Sequence, residues 1–141
     1  MPENLPNETS VVIIGGGVVG CSIAYHLVKS GIRDVLLLER KQLSSGTTWH
    51  AAGLVGQLRA TQNLTQLAKY STDLYAGLEA ETGQGTGFEQ NGSISLATNM
   101  ERMEELRRGA SMAKVFGVSV EEIGPSDVFA KYPLLNVDDL V

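Results

Sequence analysis

Apolar positions follow two different rhythms in the first forty residues. Val11 to Ile14 is an unbroken β-branched run, the pattern of a buried strand. From Val18 to Lys29 the apolar residues recur at three and four, which predicts a helix with Val19, Ile23, Leu27 and Val28 on its inner side and Gly31 as its stop. Val35 to Glu39 predicts a second strand. Strand, helix and strand within about 30 residues make a βαβ unit, whose two strands pair in parallel. Beyond it, Asn63 to Thr82 reads as a helix with Leu64, Leu67, Ala68, Ser71, Leu74, Tyr75 and Leu78 inward, closed by Gly83. Ser93 to Ala97 alternates around Ile94 and Leu96 and predicts a half-buried strand. Thr98-Asn99-Met100-Glu101 has the spacing of a capping box for a helix through Phe116, with Met103, Leu106, Ala110 and Ala113 inward and Gly117 as its stop. A short helix from Ser126 must end near Pro133.

These elements divide the chain into a flexible lead-in (1–10, with Pro2, Asn4, Pro6 and Asn7), a Rossmann-like segment (11–60) and a helical segment opening a second, α+β domain (61–141). The fold class is α/β. Only two parallel strands are identifiable, each with an unpaired edge, so the fold is expected to be incomplete within 141 residues and the chain to be an N-terminal fragment.

Composition narrows the partners. The net charge of −5 is split unevenly, +2 over residues 1–70 and −7 over 71–141, so no basic footprint for nucleic acid is expected. A single cysteine, Cys21, excludes an internal disulfide framework. No apolar run approaches the ~18 residues of a membrane span, and the acidic N-terminus resembles neither a signal nor a transit peptide. The expected location is therefore cytoplasmic, or the mitochondrial matrix in a eukaryote. No metal-ligand cluster is expected.

Candidate chemistry begins at Gly15-Gly16-Gly17-Val18-Val19-Gly20. The Gly15-x-Gly17-x-x-Gly20 spacing follows a strand and opens a helix, the context of a dinucleotide fingerprint. The first glycine makes the tight turn, the second admits a pyrophosphate, and the third lets helix and strand pack closely. The pyrophosphate sits at the helix N-terminus, where unpaired N–H groups favour negative charge. Glu39, 19 residues after Gly20, is placed to accept from two ribose hydroxyls and to repel a 2′-phosphate. The spacing suits FAD and NAD alike. Between Leu43 and Leu54 a polar stretch gives way to small residues that let backbone approach a ligand closely.

Gly15 to Gly20, Glu39-Arg40 and above all Ser45-Gly46-Thr47-Thr48-Trp49-His50-Ala51-Ala52-Gly53-Leu54 resemble the FAD-dependent amine oxidoreductases typified by dimethylglycine and sarcosine dehydrogenases. Glu81-Thr82-Gly83, Gly92 to Ala97 and Tyr132-Pro133-Leu134-Leu135 look like later landmarks of the same region. The resemblance implies a covalent bond from the histidine of the Thr-Trp-His motif, here His50, to the 8α-methyl carbon of the flavin. Histidine suits that role because it supplies an uncharged nitrogen nucleophile near neutral pH. It further implies that Gly46, Thr47, Thr48, Trp49, His50, Ala51, Ala52, Gly53 and Leu54 wrap the cofactor. Val18 and Val19 would offer N–H groups at the helix head, and Glu39 with Arg40 would hold the adenosine ribose. Trp49 is either packed on the flavin or an ordinary core tryptophan. Cys21 is read as a packing residue, and His26 as a packing or surface residue. The implied substrate is an N-methyl amino acid, and the implied acceptor is an electron-transfer flavoprotein or dioxygen. The family's tetrahydrofolate step belongs to a C-terminal domain not represented in this sequence. No catalytic residue is identifiable. Two alternatives remain: a non-catalytic regulatory relative, and an NAD-dependent dehydrogenase, which leaves the Thr-Trp-His stretch unexplained.

Overall fold

The computed structural model describes residues 5–141, which form two compact units, one ending at Leu54 and the other running from Val55 to Val141. Pro2 and Asn4 of the expected lead-in lie outside the described residues. Thr9 and Ser10, within the expected lead-in, hydrogen-bond to Asp34. The Thr9 hydroxyl donates to Asp34, and both the amide (2.7 Å) and the hydroxyl (2.7 Å) of Ser10 donate to the Asp34 carboxylate. Those bonds, the Ser10 hydroxyl first, hold the Asp34 carboxyl below the usual carboxylate range.

In the first unit β1 (Val11–Ile14) and β2 (Val35–Leu38) pair in parallel, Val11 opposite Val35 and Ile14 opposite Leu38. Strand β2 stops one residue short of the expected Glu39, because that residue turns its carboxylate back toward the glycine loop. Helix α1 (Val18–Lys29) crosses over between the strands and lies on the face that carries Ile13, which is 7% exposed. Its inner side differs from the expected one. Gly20 is buried and Ala24 and Leu27 are half-buried, whereas Val19, Ile23 and Val28 are exposed. The cause is local. The helix comes so close to β1 at Gly20 that the face centred on this glycine, not the bulkier valine face, meets the sheet. The opposite face of the strand pair, with Val12 and Ile14, is open. Helix α1 ends in a Schellman motif, the amides of Gly31 and Ile32 donating to the carbonyls of Val28 and Leu27 (both 3.0 Å).

The second unit is helical. Helix α2 (Gln62–Thr82) is capped by the Thr61 side chain, α3 (Met100–Val115) by that of Asn99, and α4 (Pro125–Lys131) begins with a proline in its first turn. The N-cap of α3 is thus Asn99, not the expected Thr98: Asn99 Oδ1 accepts from the Arg102 amide at 2.8 Å, and an extended Asn99 backbone leaves Thr98 outside the helix. Helix α4 starts one residue before the expected Ser126, since Pro125 at the first position has no N–H to leave unpaired. Inward positions of α3 are as expected, with Ala113 fully buried under Val118 at a second Schellman end.

Helix α2 departs from expectation. Leu64 and Leu67 are 51% and 61% exposed, and the buried positions are Thr65 and Thr72. The segment 55–61 lies over that face, and its polar groups need partners there. Thr65 Oγ1 accepts from the Arg59 amide (3.0 Å) and donates to the Arg59 carbonyl (3.2 Å), while Thr72 accepts from Gln57 (3.0 Å). Ser93 to Ala97 keeps the predicted alternation of burial, with Ile94 and Leu96 half-buried and Ala97 buried, but it is not a strand. Among the described residues its backbone meets no ladder partner beyond the Val141 amide on the Ala97 carbonyl.

Candidate functional site

The site grows from one close approach. Gly15 leaves β1 with φ +105°, a conformation that side chains rarely adopt, and its amide donates to the Leu38 carbonyl at 2.8 Å. The chain then turns so tightly that a Cβ at Gly20 would lie 1.9 Å from the Gly15 carbonyl oxygen. The first and third glycines of the fingerprint therefore do what the spacing requires of them. One makes the turn, and the other removes the side chain that would hold helix and strand apart.

Gly16, outside the fingerprint, is the hub of the loop. Its amide donates to Glu39 Oε2 at 2.8 Å, and its carbonyl accepts from the Ser44 amide at 2.8 Å and the Cys21 thiol at 3.5 Å. A side chain here would run into Leu43 and Glu39. Ser44 holds φ +63°, unusual for a residue other than glycine, to make its bond. Sequence reasoning missed Gly16; the one available signal was a third consecutive glycine that the fingerprint does not need. Glu39, expected at a ribose, is engaged with protein: Oε2 takes the Gly16 amide and Oε1 the Lys41 amide at 2.9 Å. The Gly16 amide first, then that of Lys41, holds this carboxyl below the usual range, so it is ionised and rich in acceptor capacity.

Beyond Gly46 the Thr-Thr-Trp-His stretch forms a single 3₁₀ turn, Thr47–His50, closed by Trp49 N–H to Gly46 O and Ala51 N–H to Thr48 O (both 3.2 Å). Thr48 Oγ1 accepts from the Val18 amide at 2.9 Å, fastening this turn to the head of α1. A Cβ at Gly17 would come within 3.0 Å of that hydroxyl, so the second glycine also makes room for Thr48. The structure thus brings together Gly15, Gly17, Val18, Gly20, Glu39 and Thr48. Val19, Arg40, Gly46, Thr47, Trp49, His50, Ala51, Ala52, Gly53 and Leu54 are exposed around them. Trp49 is 79% exposed. His26 stays on α1, its ring bonded to the Ser22 carbonyl at 2.6 Å.

The FAD dependent oxidoreductase family matches residues 10–141, the glycine turn and the 3₁₀ turn included. The chain belongs to that family. Mouse sarcosine dehydrogenase and rat dimethylglycine dehydrogenase are each 44% identical to it over 98% and 99% of its length, and the mouse pyruvate dehydrogenase phosphatase regulatory subunit is 45% identical over 97%. The chain spans only 15–16% of those proteins. Among solved structures it is similar to L-proline dehydrogenase from P. horikoshii, with a TM-score of 0.88 and 28% identity over 97% of the chain and 36% of that structure. Membership in an FAD family sets aside the nicotinamide alternative and agrees with the α/β reading.

The residues present fit FAD. The glycine turn adds no side chain of its own at the head of α1, where the Thr48 hydroxyl takes the Val18 amide, and an ionised Glu39 stands at the end of β2 as a hydrogen-bond acceptor. No helix among the described residues is long and apolar enough to cross a membrane. Nor do they contain a group of three or more His, Cys, Asp or Glu able to hold a metal ion.

Proposed function

We propose that this chain forms the dinucleotide-binding part of a flavoprotein that oxidises the C–N bond of N-methylated amino acids such as sarcosine or dimethylglycine, with His50 as the point of covalent flavin attachment. The observation that carries the reading is the Thr48–Val18 bond, which fastens the turn bearing His50 to the helix head where a dinucleotide pyrophosphate is bound. Similarity to two dehydrogenases named for N-methyl amino acids supports the substrate class.

In this reading the Val18 amide, expected to face the cofactor, is held by Thr48 instead, and the head of α1 beyond it together with the hydroxyls of Thr47 and Thr48 binds and orients the pyrophosphate. Glu39 and Arg40 hold the ribose, Glu39 exchanging its bonds to backbone amides for bonds to hydroxyls. Exposed Trp49 covers the flavin, and Ala51 to Leu54 let the chain run close along it. When bound, FAD would supply the hydride acceptor for oxidation of the N-methyl carbon, with an electron-transfer flavoprotein or dioxygen as the final acceptor, while the residues named here hold and orient it. Tetrahydrofolate, as acceptor of the one-carbon unit, would be served by sequence other than these 141 residues. The compartment is the cytoplasm, or the mitochondrial matrix in a eukaryotic host.

Acid precipitation of the full-length protein tests the attachment. A yellow, fluorescent pellet is expected, and His50→Ala should move the flavin to the supernatant while retaining reversible binding. Flavin wholly in the wild-type supernatant, or covalent flavin retained by His50→Ala, refutes the assignment. A second reading, a regulatory protein without turnover, is favoured by the 45% identity to the phosphatase regulatory subunit. Flavin reduction on anaerobic mixing with sarcosine or dimethylglycine separates the two.

A further inference from the structure

We propose that Thr48 is a positioning residue for flavin attachment: its hydroxyl, seated on the Val18 amide, holds the Thr47–His50 turn at the head of α1 and so sets where His50 stands. The proposal rests on the His50 attachment proposed above. Of the two threonines in the turn, Thr47 is exposed and Thr48 is half-buried with its Oγ1 2.9 Å from the Val18 amide. The turn has no side-chain cap at its own start, Gly46. Its bonds at Trp49 and Ala51 are internal and fix its shape, not its distance from α1. The Ser44–Gly16 bond tethers the chain before the turn, but between them lie two residues, Ser45 and Gly46, and the φ +63° at Ser44 marks a bend rather than a continuous element. The Thr48 hydroxyl thus carries the fixed link from glycine turn to His50, which follows two residues later.

The chemistry of a hydroxyl suits this place. It accepts from Val18 through a lone pair and keeps its own proton as a donor, so the link need not be given up when an anion reaches the helix head. Gly17 belongs to the same device, because a Cβ there would crowd Thr48 Oγ1 at 3.0 Å.

Thr48→Val keeps the volume and removes the acceptor; Thr48→Ser keeps the acceptor. The His50–flavin bond would replace the imidazole N–H and one C–H of the 8α carbon, and the two electrons left on the flavin would pass to dioxygen, so the full-length protein is loaded with FAD from the flavin-free state in air, with two readouts: the rate at which flavin becomes acid-stable, and hydrogen exchange at the Val18 amide before loading. Thr48→Val is expected to bind FAD yet attach it at least about tenfold more slowly, with Val18 exchange about fivefold faster, as loss of one hydrogen bond implies. Thr48→Ser is expected to match the wild type within about twofold on both. Wild-type attachment in Thr48→Val, unchanged Val18 exchange, or an equal defect in Thr48→Ser overturns the proposal, the last because the methyl and not the hydroxyl then matters. A wild-type protein whose flavin is wholly released by acid overturns the His50 reading instead, and the Val18 exchange comparison still decides whether Thr48 holds the turn.

Discussion

Gly20→Ala adds one methyl group at the tightest point of the first unit. The new Cβ would stand 1.9 Å from the Gly15 carbonyl oxygen, 3.1 Å from the carbonyl carbon and 3.4 Å from Ile13 Cγ2. Real Cβ contacts below 3.0 Å essentially do not occur, so helix and turn must part by at least about 1.1 Å. The obstacle is backbone, held by the Gly15 amide's bond to Leu38, and it cannot swing aside as a side-chain tip would. Overpacking of this kind costs about 1–3 kcal/mol. A cost of about 2 kcal/mol lowers the urea midpoint by about 1 M for a slope of about 2 kcal/mol/M. FAD affinity should fall at least about tenfold, because the helix head moves with α1. Gly77→Ala is the control: inside α2, with nothing within 4 Å of its Cβ, it should stabilise by about 0.4–1 kcal/mol. If Gly20→Ala unfolds at the wild-type midpoint and binds FAD normally, the close approach at Gly15 is wrong.

Thr65→Val, nearly isosteric, strips both bonds from the Arg59 backbone inside the second unit and should cost about 1–3 kcal/mol, with Thr65→Ser recovering most of it; equal urea midpoints for all three proteins would contradict the structure. Acidification should loosen the first unit through Asp34 and Glu39. Both folded-state pKa values lie below the unfolded values of about 4, so the stabilisation is complete above that pH and is lost as pH falls through the folded values. The Ser10 and Gly16 amide resonances should accordingly titrate below about pH 4, and Asp34→Asn and Glu39→Gln should abolish the respective change; flat resonances down to pH 2 would count against both bonds.

Much of the first unit was legible because its signals are local. A β-branched run, three spaced glycines and an acid at the end of the next apolar run each constrain backbone or charge within a few residues. They fixed β1, α1 and β2 almost to the residue. What they did not reveal is which side of α1 faces the sheet, because hydrophobic periodicity favours the valines, while the close approach at Gly20 reverses the preference. Thr65 and Thr72 were hidden for a related reason. A threonine in a helix reads as a surface residue until another segment's backbone is laid over it and needs a donor and an acceptor.

By itself, then, the sequence determined the order of β1, α1 and β2, the parallel pairing of the two strands and the stretch that resembles an FAD family, since each depends on residue type at short range. Tertiary structure decided that Glu39 holds the Gly16 amide, that Gly16 is the hub of the loop, and that Thr48 reaches back thirty residues to the head of α1. Such contacts form only when the crossover brings the end of β2 beside the start of α1, and no periodicity along the chain encodes which hydroxyl will meet which amide there.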